Sequence, residues 1–505
     1  CIITPTIVKS AIFAWRRQIW AESGFRRTRT APGWRPVRSL RLSTALIRSV
    51  GDRPRPSRSG KAAKGLSWGQ ILIRALRALP VRSIAGQMCR IADDARDVAH
   101  YAAPEPSPLS GVCLPEPCQS PLLSILIPTK DRYDTLIPML TATISYITDA
   151  EVEFVVCDSS ANPDPAMTSL AASDSRIRYI PTADARSIVD NVERGIAACT
   201  GRYICFIGDD DFVAPQIADF VRWMDGNGDD CLIYPPARFW WQNVSFKRLS
   251  RFQQPGAFWL PAARRGAVRR RRSVDEMRRV QDGGGVAYLD LPRLYHGIAS
   301  RRAVDRIHER FGRFVPGSSP DMALCAALSE VVEEYSSIDF PITVFGASRA
   351  SGGGRTAAGR HYGRIEDQAH LPSDIIEKWS PALPRIWSEQ VIYPQTLHEV
   401  ARLAGSEAAL SRSTLYASLI AYEPHIFRLL LPNVRQYLRE RPLAVFGLFK
   451  NILLKAAGRA RVGFRLHTGI GLGFELHVLR DGNAVMALLA GLQPPEQIRQ
   501  TGPRT

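Results

Sequence analysis

The amino-acid sequence predicts an α/β fold: a Rossmann-like, mostly parallel sheet flanked by helices, with a helical C-terminal extension and a largely disordered basic N-terminal arm. Three observations lead there. Short apolar runs alternate with stretches of helical spacing between residues 122 and 207. Polar residues gather where those runs end. Composition changes sharply on the N-terminal side, from Arg- and Pro-rich to apolar.

The chain has 505 residues, room for one large domain with additions or for two to three domains of roughly 100–200 residues. Hydrophobic content of 45% and aromatic content of 9% suit a globular core. The net charge of +18 is unusual and favours anionic partners: nucleic acid, acidic lipid or phosphorylated ligands. Arg16, Arg17, Arg26, Arg27, Arg29, Arg35, Arg38 and Arg41 form one basic cluster, and Arg264 to Arg272 contain a second. Neither interleaves aromatic residues for base stacking and no nucleic-acid motif accompanies them, so specific nucleic-acid binding is not expected. What remains is a solvated basic arm, or one that attracts phosphates or an anionic membrane surface.

Nine cysteines, odd in number and scattered, suggest a reducing, cytoplasmic setting. Cys113 and Cys118 could pair, but no second Cys/His pair completes a zinc set. No run of roughly 18 apolar residues predicts a spanning helix. The segment Ile7 to Trp20 is broken by Lys9, Arg16 and Arg17, and no convincing cleavage site follows. A first residue of Cys rather than Met is what a fragment or an over-extended reading frame would give.

Element by element, residues 1 to about 65 read as disordered, and Trp68 to Ala99 as a short helical stretch with Ile71, Ile73, Leu76 and Leu79 at helical spacing. A proline-rich linker from Pro104 to Pro121 follows. Leu122 to Ile127 is a buried strand ending in Pro128-Thr129, and Thr135 to Ile147 a helix. Val152 to Val156 is a second strand ending at Asp158, and Ile177 to Ile180 a third. Ile188 to Ala198 is a helix stopped by Gly201, and Tyr203 to Ile207 a fourth strand running into Asp209-Asp210-Asp211. Ligands of such sheets bind beyond the carboxyl ends of the strands, where Thr129, Asp131, Asp158 and the triplet fall. Further on, strands are expected at Leu232 to Tyr234, Ala237 to Trp241 and Ile342 to Phe345, with a basic loop reaching Gly285. Helices are expected at Val304 to Phe311, Met322 to Glu334, Glu399 to Leu410, Thr414 to Ala421, Phe427 to Leu438 and Leu443 to Ala457. Gly352-Gly353-Gly354 reads as a plain loop, or as a lid.

Three adjacent carboxylates repel one another unless a cation sits between them. Hard divalent ions such as Mg²⁺ or Mn²⁺ take oxygen ligands, commonly one or two carboxylates completed by substrate phosphates. Such an ion would neutralise a pyrophosphate leaving group. The plain alternative is an acidic surface turn.

The string Leu123 to Arg132, then Phe154 to Asp158, Asn191 to Gly195 and Gly201 to Pro215 resembles the family 2 glycosyltransferases of the GT-A fold, over about residues 120 to 350. The resemblance implies a nucleotide-sugar donor, with Thr129 and Asp131 beside the nucleotide and Asp158 hydrogen-bonding the base, a task suited to an acceptor of ring N–H. Arg186 and Asn191 fall where the family often places nucleotide contacts, although Asn191 to Gly195 is longer than its commonest spacing. Asp209 to Asp211 resemble the DxD motif, with Asp210 or Asp211 as metal ligand and a neighbour such as Asp209 near the ribose; the sequence does not choose among the three. In inverting members a carboxylate deprotonates the acceptor hydroxyl. Asp321, after Pro320 at the start of an apolar helix, is the candidate; an ordinary helix-capping Asp is the alternative. Tyr295-His296-Gly297 could line the acceptor side.

The expected organisation is a basic extension over 1–118, a GT-A domain over 119–350 and a mainly helical region over 351–505. The expected function is an inverting, metal-dependent transfer of a sugar to a hydroxyl of a glycan or lipid-linked acceptor in polysaccharide or cell-envelope synthesis. Leu443 to Lys455, apolar with Lys450, Lys455, Arg459 and Arg461, fits either an interfacial helix on an anionic membrane, at the inner face of the plasma membrane, or packing on the catalytic domain. Competing readings are a GT-A-like nucleotidyltransferase, which needs no base on the acceptor side, and a basic scaffold with a degenerate transferase core.

Overall fold

The computed structural model describes residues 121–500 except Arg186, Arg248 and Ala369. The expectations for the basic arm, the helix at Trp68 to Ala99, the Cys113/Cys118 pair and Arg186 lie outside the described residues.

The chain opens on β1 (Leu123–Thr129), α1 (Tyr133–Tyr146), β2 (Val152–Asp158), α2 (Pro165–Ser173), β3 (Ile177–Pro181), α3 (Ile188–Ala198) and β4 (Tyr203–Phe206). Every residue of β1, β2 and β4 is buried, as strands covered on both faces must be. Caps set the helix starts: the Asp164 carboxylate accepts from the Ala166 N–H with Pro165 next, and the Ser187 hydroxyl accepts from the Asp190 N–H. After the acidic triplet come β5 (Phe212–Val213), α4 (Ile217–Asn227), β6 (Cys231–Ile233), β7 (Ala237–Trp240), β8 (Ala257–Pro261), β9 (Val268–Arg272) and α5 (Ser273–Asp282). Then follow β10 (Gly297–Ser300), α6 (Arg301–Phe311), α7 (Pro320–Val331), β11 (Glu334–Ile338), β12 (Thr343–Ala347) and α8 (Gly352–Ala357). The remainder holds β13 (Tyr362–Gly363), β14 (Trp387–Ser388), α9 (Glu389–Leu403), α10 (Arg412–Tyr422), α11 (Phe427–Glu440), α12 (Ala444–Thr468), β15 (Phe474–Val478), α13 (Gly482–Ala490) and α14 (Glu496–Arg499).

The main sheet has the order β3-β2-β1-β4-β10-β6-β11-β9. Its first four strands are parallel, whereas β10 runs against both β4 and β6. The sheet is therefore parallel where the apolar runs alternate with helices and mixed beyond. A second sheet, β15-β8-β7-β12-β5, stands beside it.

One face of the main sheet, with Leu123, Ile125 and Ile127, packs on Leu136 and Leu140 of α1, Phe220 of α4 and Met486 of α13. The other, with Leu126 and Val155, packs on Val192 and Ile196 of α3 and Leu324 and Leu328 of α7. Pieces of the region beyond residue 351 thus enter the core of the sheet. β15 pairs with β8, and the Gln216 amide caps the carbonyls of Leu489, Ala490 and Leu492 at the end of α13. Local expectations change in the basic stretch, which also holds α5, and at the glycine run, and the helix expected at Glu399 to Leu410 instead spans Glu389–Leu403. Residues Val268–Arg272 of the basic stretch form an edge strand against β11, where Arg271 pairs with Glu276 at 2.7 Å and Arg270 with Asp229. The glycine run is helical, because the Ser351 hydroxyl caps Gly354. Among the described residues no helix is long and apolar enough to cross a membrane.

Candidate active site

The parallel strands end together. Register pairs Thr129 of β1 with Asp158 of β2 at the carboxyl end of the sheet, and the triplet begins just after β4. Beyond them opens a cavity of about 580 Å³, lined by Arg132 and Asp210 from the sheet side, Arg238, Trp240 and Trp259 from the second sheet, and Asp321, Glu389 and Tyr393 from α7 and α9.

The three adjacent aspartates have three different surroundings. Asp209 is fully buried; its Oδ2 accepts from the Thr129 hydroxyl at 2.7 Å and lies 2.9 Å from the Arg132 Nε, while its Oδ1 has no hydrogen-bond partner. Burial pushes this carboxyl up to about 7, against the pull of the Arg132 guanidinium and with Asp210 adding to the rise. Asp210 lines the cavity. Its Oδ2 accepts from the Ser348 N–H at 2.8 Å and its Oδ1 lies 4.0 Å from Arg132. Burial raises it too, and again Arg132 opposes the rise.

Asp211 is spent on the protein. Its Oδ1 accepts from the Gly346 N–H at 2.6 Å, and its Oδ2 from the Gly208 N–H at 2.6 Å and the Tyr295 hydroxyl at 3.3 Å. The buried His296 Nε2 stands 3.0 Å from that same oxygen, at ion-pair distance but off the hydrogen-bond axis, while its Nδ1 meets the Thr343 hydroxyl at 2.8 Å. Glycine at 346 is required: a Cβ there would sit 1.6 Å from the Asp210 carbonyl oxygen.

The nucleotide-side candidates cluster at the strand ends. Asp158 is fully buried; its Oδ2 accepts from the hydroxyls of Tyr133 and, at 2.6 Å, Tyr179, and its Oδ1 from the Ser160 N–H at 2.9 Å. Both oxygens of Asp158 are thus taken up by donors of the protein itself. Asn191 bridges the sheet edge, donating to the carbonyls of Thr129 at 3.3 Å and Cys157 at 3.0 Å and accepting from Thr182 at 2.6 Å. Asp131 takes a left-handed backbone, φ 54°, and its N–H donates to the Ser160 hydroxyl at 2.7 Å.

Asp321 sits in the first turn of α7, after Pro320, and lines the cavity. Its Oδ2 accepts from the Tyr393 hydroxyl at 2.6 Å and its Oδ1 from Ser319. Sequence reasoning missed Arg132, Tyr133, Tyr179, Arg238, Glu389 and Tyr393. Arg132 was visible beside Asp131; Glu389 and Tyr393 were screened by Pro394, which sits inside α9 and breaks its helical spacing. Among the described residues no set of three or more metal-type side chains converges, so an ion here would rest on one or two carboxylates and on substrate oxygens.

Residues 124–286 match the family model described as glycosyl transferase family 2. No curated protein matches the chain. Among solved structures, Staphylococcus aureus TarS is similar at 11% identity and a TM-score of 0.33, over 45% of this chain and 37% of that one. TarS 1–349 in complex with UDP gives 12% identity and a TM-score of 0.32, over 45% of this chain and 61% of that one. The same fragment in complex with UDP-GlcNAc gives 11% and 0.37, over 71% of this chain and 97% of that one. The chain thus spans well under half of the first of these structures. So distant a likeness leaves donor and acceptor to be read from this chain's own residues.

Proposed function

The chain carries a glycosyl transferase family 2 domain over residues 124–286, and from that premise we propose that it is an inverting, metal-dependent glycosyltransferase that moves a sugar from a nucleotide-diphosphate donor to an acceptor hydroxyl. The observation that carries the reading is that Asp210 and Asp321, from different elements, line one cavity with Arg132 between the triplet and the open space. In that arrangement Thr129, Asp131, Asp158 and Asn191 hold the nucleotide side, with Asp209 toward the ribose; Arg186 is proposed for the same side on the family's pattern alone.

The donor set suits a divalent cation. Asp209 keeps a buried oxygen without a partner, and the nearest cation to Asp210 Oδ1 is a guanidinium 4.0 Å away. Asp210 would hold Mn²⁺ or Mg²⁺, with Asp209 or Asp211 as the further candidate; of the two, Asp209 has the free oxygen. When bound, such an ion supplies charge neutralisation to a leaving diphosphate. Arg132 acts in the same sense, since its guanidinium faces the space beside Asp210 and can pair with phosphate oxygens. Asp321, oriented by two hydroxyl donors, accepts the proton from the acceptor hydroxyl as it attacks the anomeric carbon opposite the leaving group. Walls of Trp240 and Trp259 offer apolar faces to a sugar ring.

The acceptor proposed is a glycan or lipid-linked intermediate of polysaccharide or envelope synthesis, with peripheral contact to an anionic membrane. What supports the membrane contact is α12. Opposite its buried Leu448, the helix presents Phe446 (73% exposed), Leu453 (51%) and Phe464 (61%) along one outward stripe. It carries Lys450, Lys455, Arg459, Arg461 and Arg465 and no acidic residue. A second copy or the basic arm of this chain would bring like charge to that face; an anionic lipid surface brings the opposite.

The test is a panel of UDP-, GDP- and TDP-linked sugars scored for Mn²⁺-dependent release of nucleoside diphosphate. The reading expects release with at least one donor, lost in Asp210→Asn and Asp321→Asn. Release unaffected by Asp321→Asn removes the acceptor-side base from the reading, and release from none favours the scaffold.

A further inference from the structure

Helix α9 lies well beyond the segment that matches the family, yet it grips the acceptor-side carboxylate. From successive turns of one face, Tyr393 donates to Asp321 Oδ2 at 2.6 Å, the Thr396 hydroxyl accepts from the Ser319 N–H at 3.2 Å, and Glu399 accepts from the Ser318 N–H at 2.7 Å and its hydroxyl at 2.8 Å. Glu399 is in turn held by Gln395 at 2.8 Å. The three residues that lead into and form the first turn of α7, Ser318, Ser319 and Asp321, are thereby each tied to α9 by a polar contact. The grip is largely buried: Thr396 and Glu399 are 0% and 4% exposed, and Tyr393 is 5% exposed. Buried polar groups kept in such register are expensive to leave unmade, so the contacts fix the loop as a unit.

We infer that α9 is a working part of the catalytic site, in which Tyr393 is the positioning residue for Asp321 and Thr396 and Glu399 hold the turn that carries it. The inference rests on the proposed role of Asp321. A carboxylate at a helix start can rotate freely about its side-chain torsions; a hydroxyl on each oxygen, Ser319 on one and Tyr393 on the other, removes that freedom while Asp321 still lines the cavity. The groups facing Asp321 are Tyr393 and Glu389 from α9 and Tyr288 and Tyr295 from the segment before β10; Arg238 of β7 faces Glu389 across the same cavity. Glu389, one helical turn before Tyr393, is pushed up by burial and by the charge of Asp321, against the pull of Arg238.

Two measurements decide it. In the nucleotide-sugar assay, Tyr393→Phe is expected to lower kcat about 10-fold with the donor KM unchanged, and to cause no further loss on the Asp321→Asn background. Arg402→Ala, on the same helix but outside the cavity, should change neither. A further 10-fold fall on the Asp321→Asn background, or a donor KM that rises with the fall in kcat, would mean that Tyr393 only supports the fold, and would overturn the inference. The second measurement needs no turnover: a double-mutant cycle of Tyr393→Phe and Asp321→Asn in urea unfolding. The two single effects on the unfolding constant should fail to multiply by about 10-fold. Independent effects would remove the contact and the inference with it. If Asp321→Asn keeps full turnover while the cycle shows coupling, it is the proposed role of Asp321 that fails.

Discussion

At the scale of single residues, adjacent identical side chains diverge because their partners come from far along the chain. Asp210 faces the cavity, whereas Asp211 is consumed by Gly208, Gly346, Tyr295 and His296. Asp210→Asn is therefore expected to lose Mn²⁺-dependent turnover about 100-fold while its melting temperature stays within a few degrees. Asp211→Ala should instead lower stability by about 3–5 kcal/mol, as breaking a buried charged network does, and a melting scan of both variants separates them. The triplet itself was legible, since a strand running into carboxylates is written locally. Its division of labour was not, because Gly346 and His296 lie more than eighty residues away and no local pattern points to them. A second residue prediction concerns pH. Burial, with Arg355 and His370 adding positive charge, pushes His361 down to about 4 from an ordinary 6.5. A histidine depressed in the folded state binds fewer protons there than when unfolded, so its stabilisation is complete above about 6.5 and drains away as pH falls toward 4. His361→Gln is expected to flatten the decline in melting temperature across that window; an unchanged slope would show that other groups carry it.

Elements were legible where periodicity was undisturbed. The helix Ile188–Ala198 and the first four strands follow from alternating apolar runs and a cap, because β1, β2 and β4 are buried along their whole length and are therefore mostly apolar. Reading failed where a residue type has two uses. Arginines on β9 are exposed on an edge and paired with acids of neighbouring elements, so their charge disguised a strand as a loop. Pro394 hid the first turns of α9, and a single serine cap turned three glycines into helix. β12 gives the element-scale prediction. Gly346→Ala forces a Cβ onto the Asp210 carbonyl oxygen, so β12 must move away from the triplet. Loss of about 2–3 kcal/mol is expected, together with weaker nucleoside diphosphate binding, checked by urea unfolding and by titration calorimetry. Normal stability with normal binding would show that the close approach is not needed.

For the whole molecule, the residues beyond 351 are not an appendage: α9 reaches the cavity, β15 extends the second sheet, and α13 packs on α1. Composition could announce helices there but not where they dock, because docking depends on surfaces made by distant segments. The outward stripe of α12 makes a measurable claim. The protein should sediment with vesicles containing anionic lipid, less so as salt rises, and Phe446→Ser, Leu453→Ser and Phe464→Ser together should abolish it. Equal binding to neutral vesicles would remove the electrostatic half of the proposal, and no binding to either would remove all of it. The seat of α13 has a further outcome. Leu123 emerges from the ribosome hundreds of residues before Met486, yet the two share one hydrophobic layer. During synthesis α1 and α4 cover part of that layer early, and it is completed only when the segment around 482–498 clears the exit tunnel. A copy terminated before that segment is expected to leave part of the layer exposed, the kind of surface that chaperones and proteases engage.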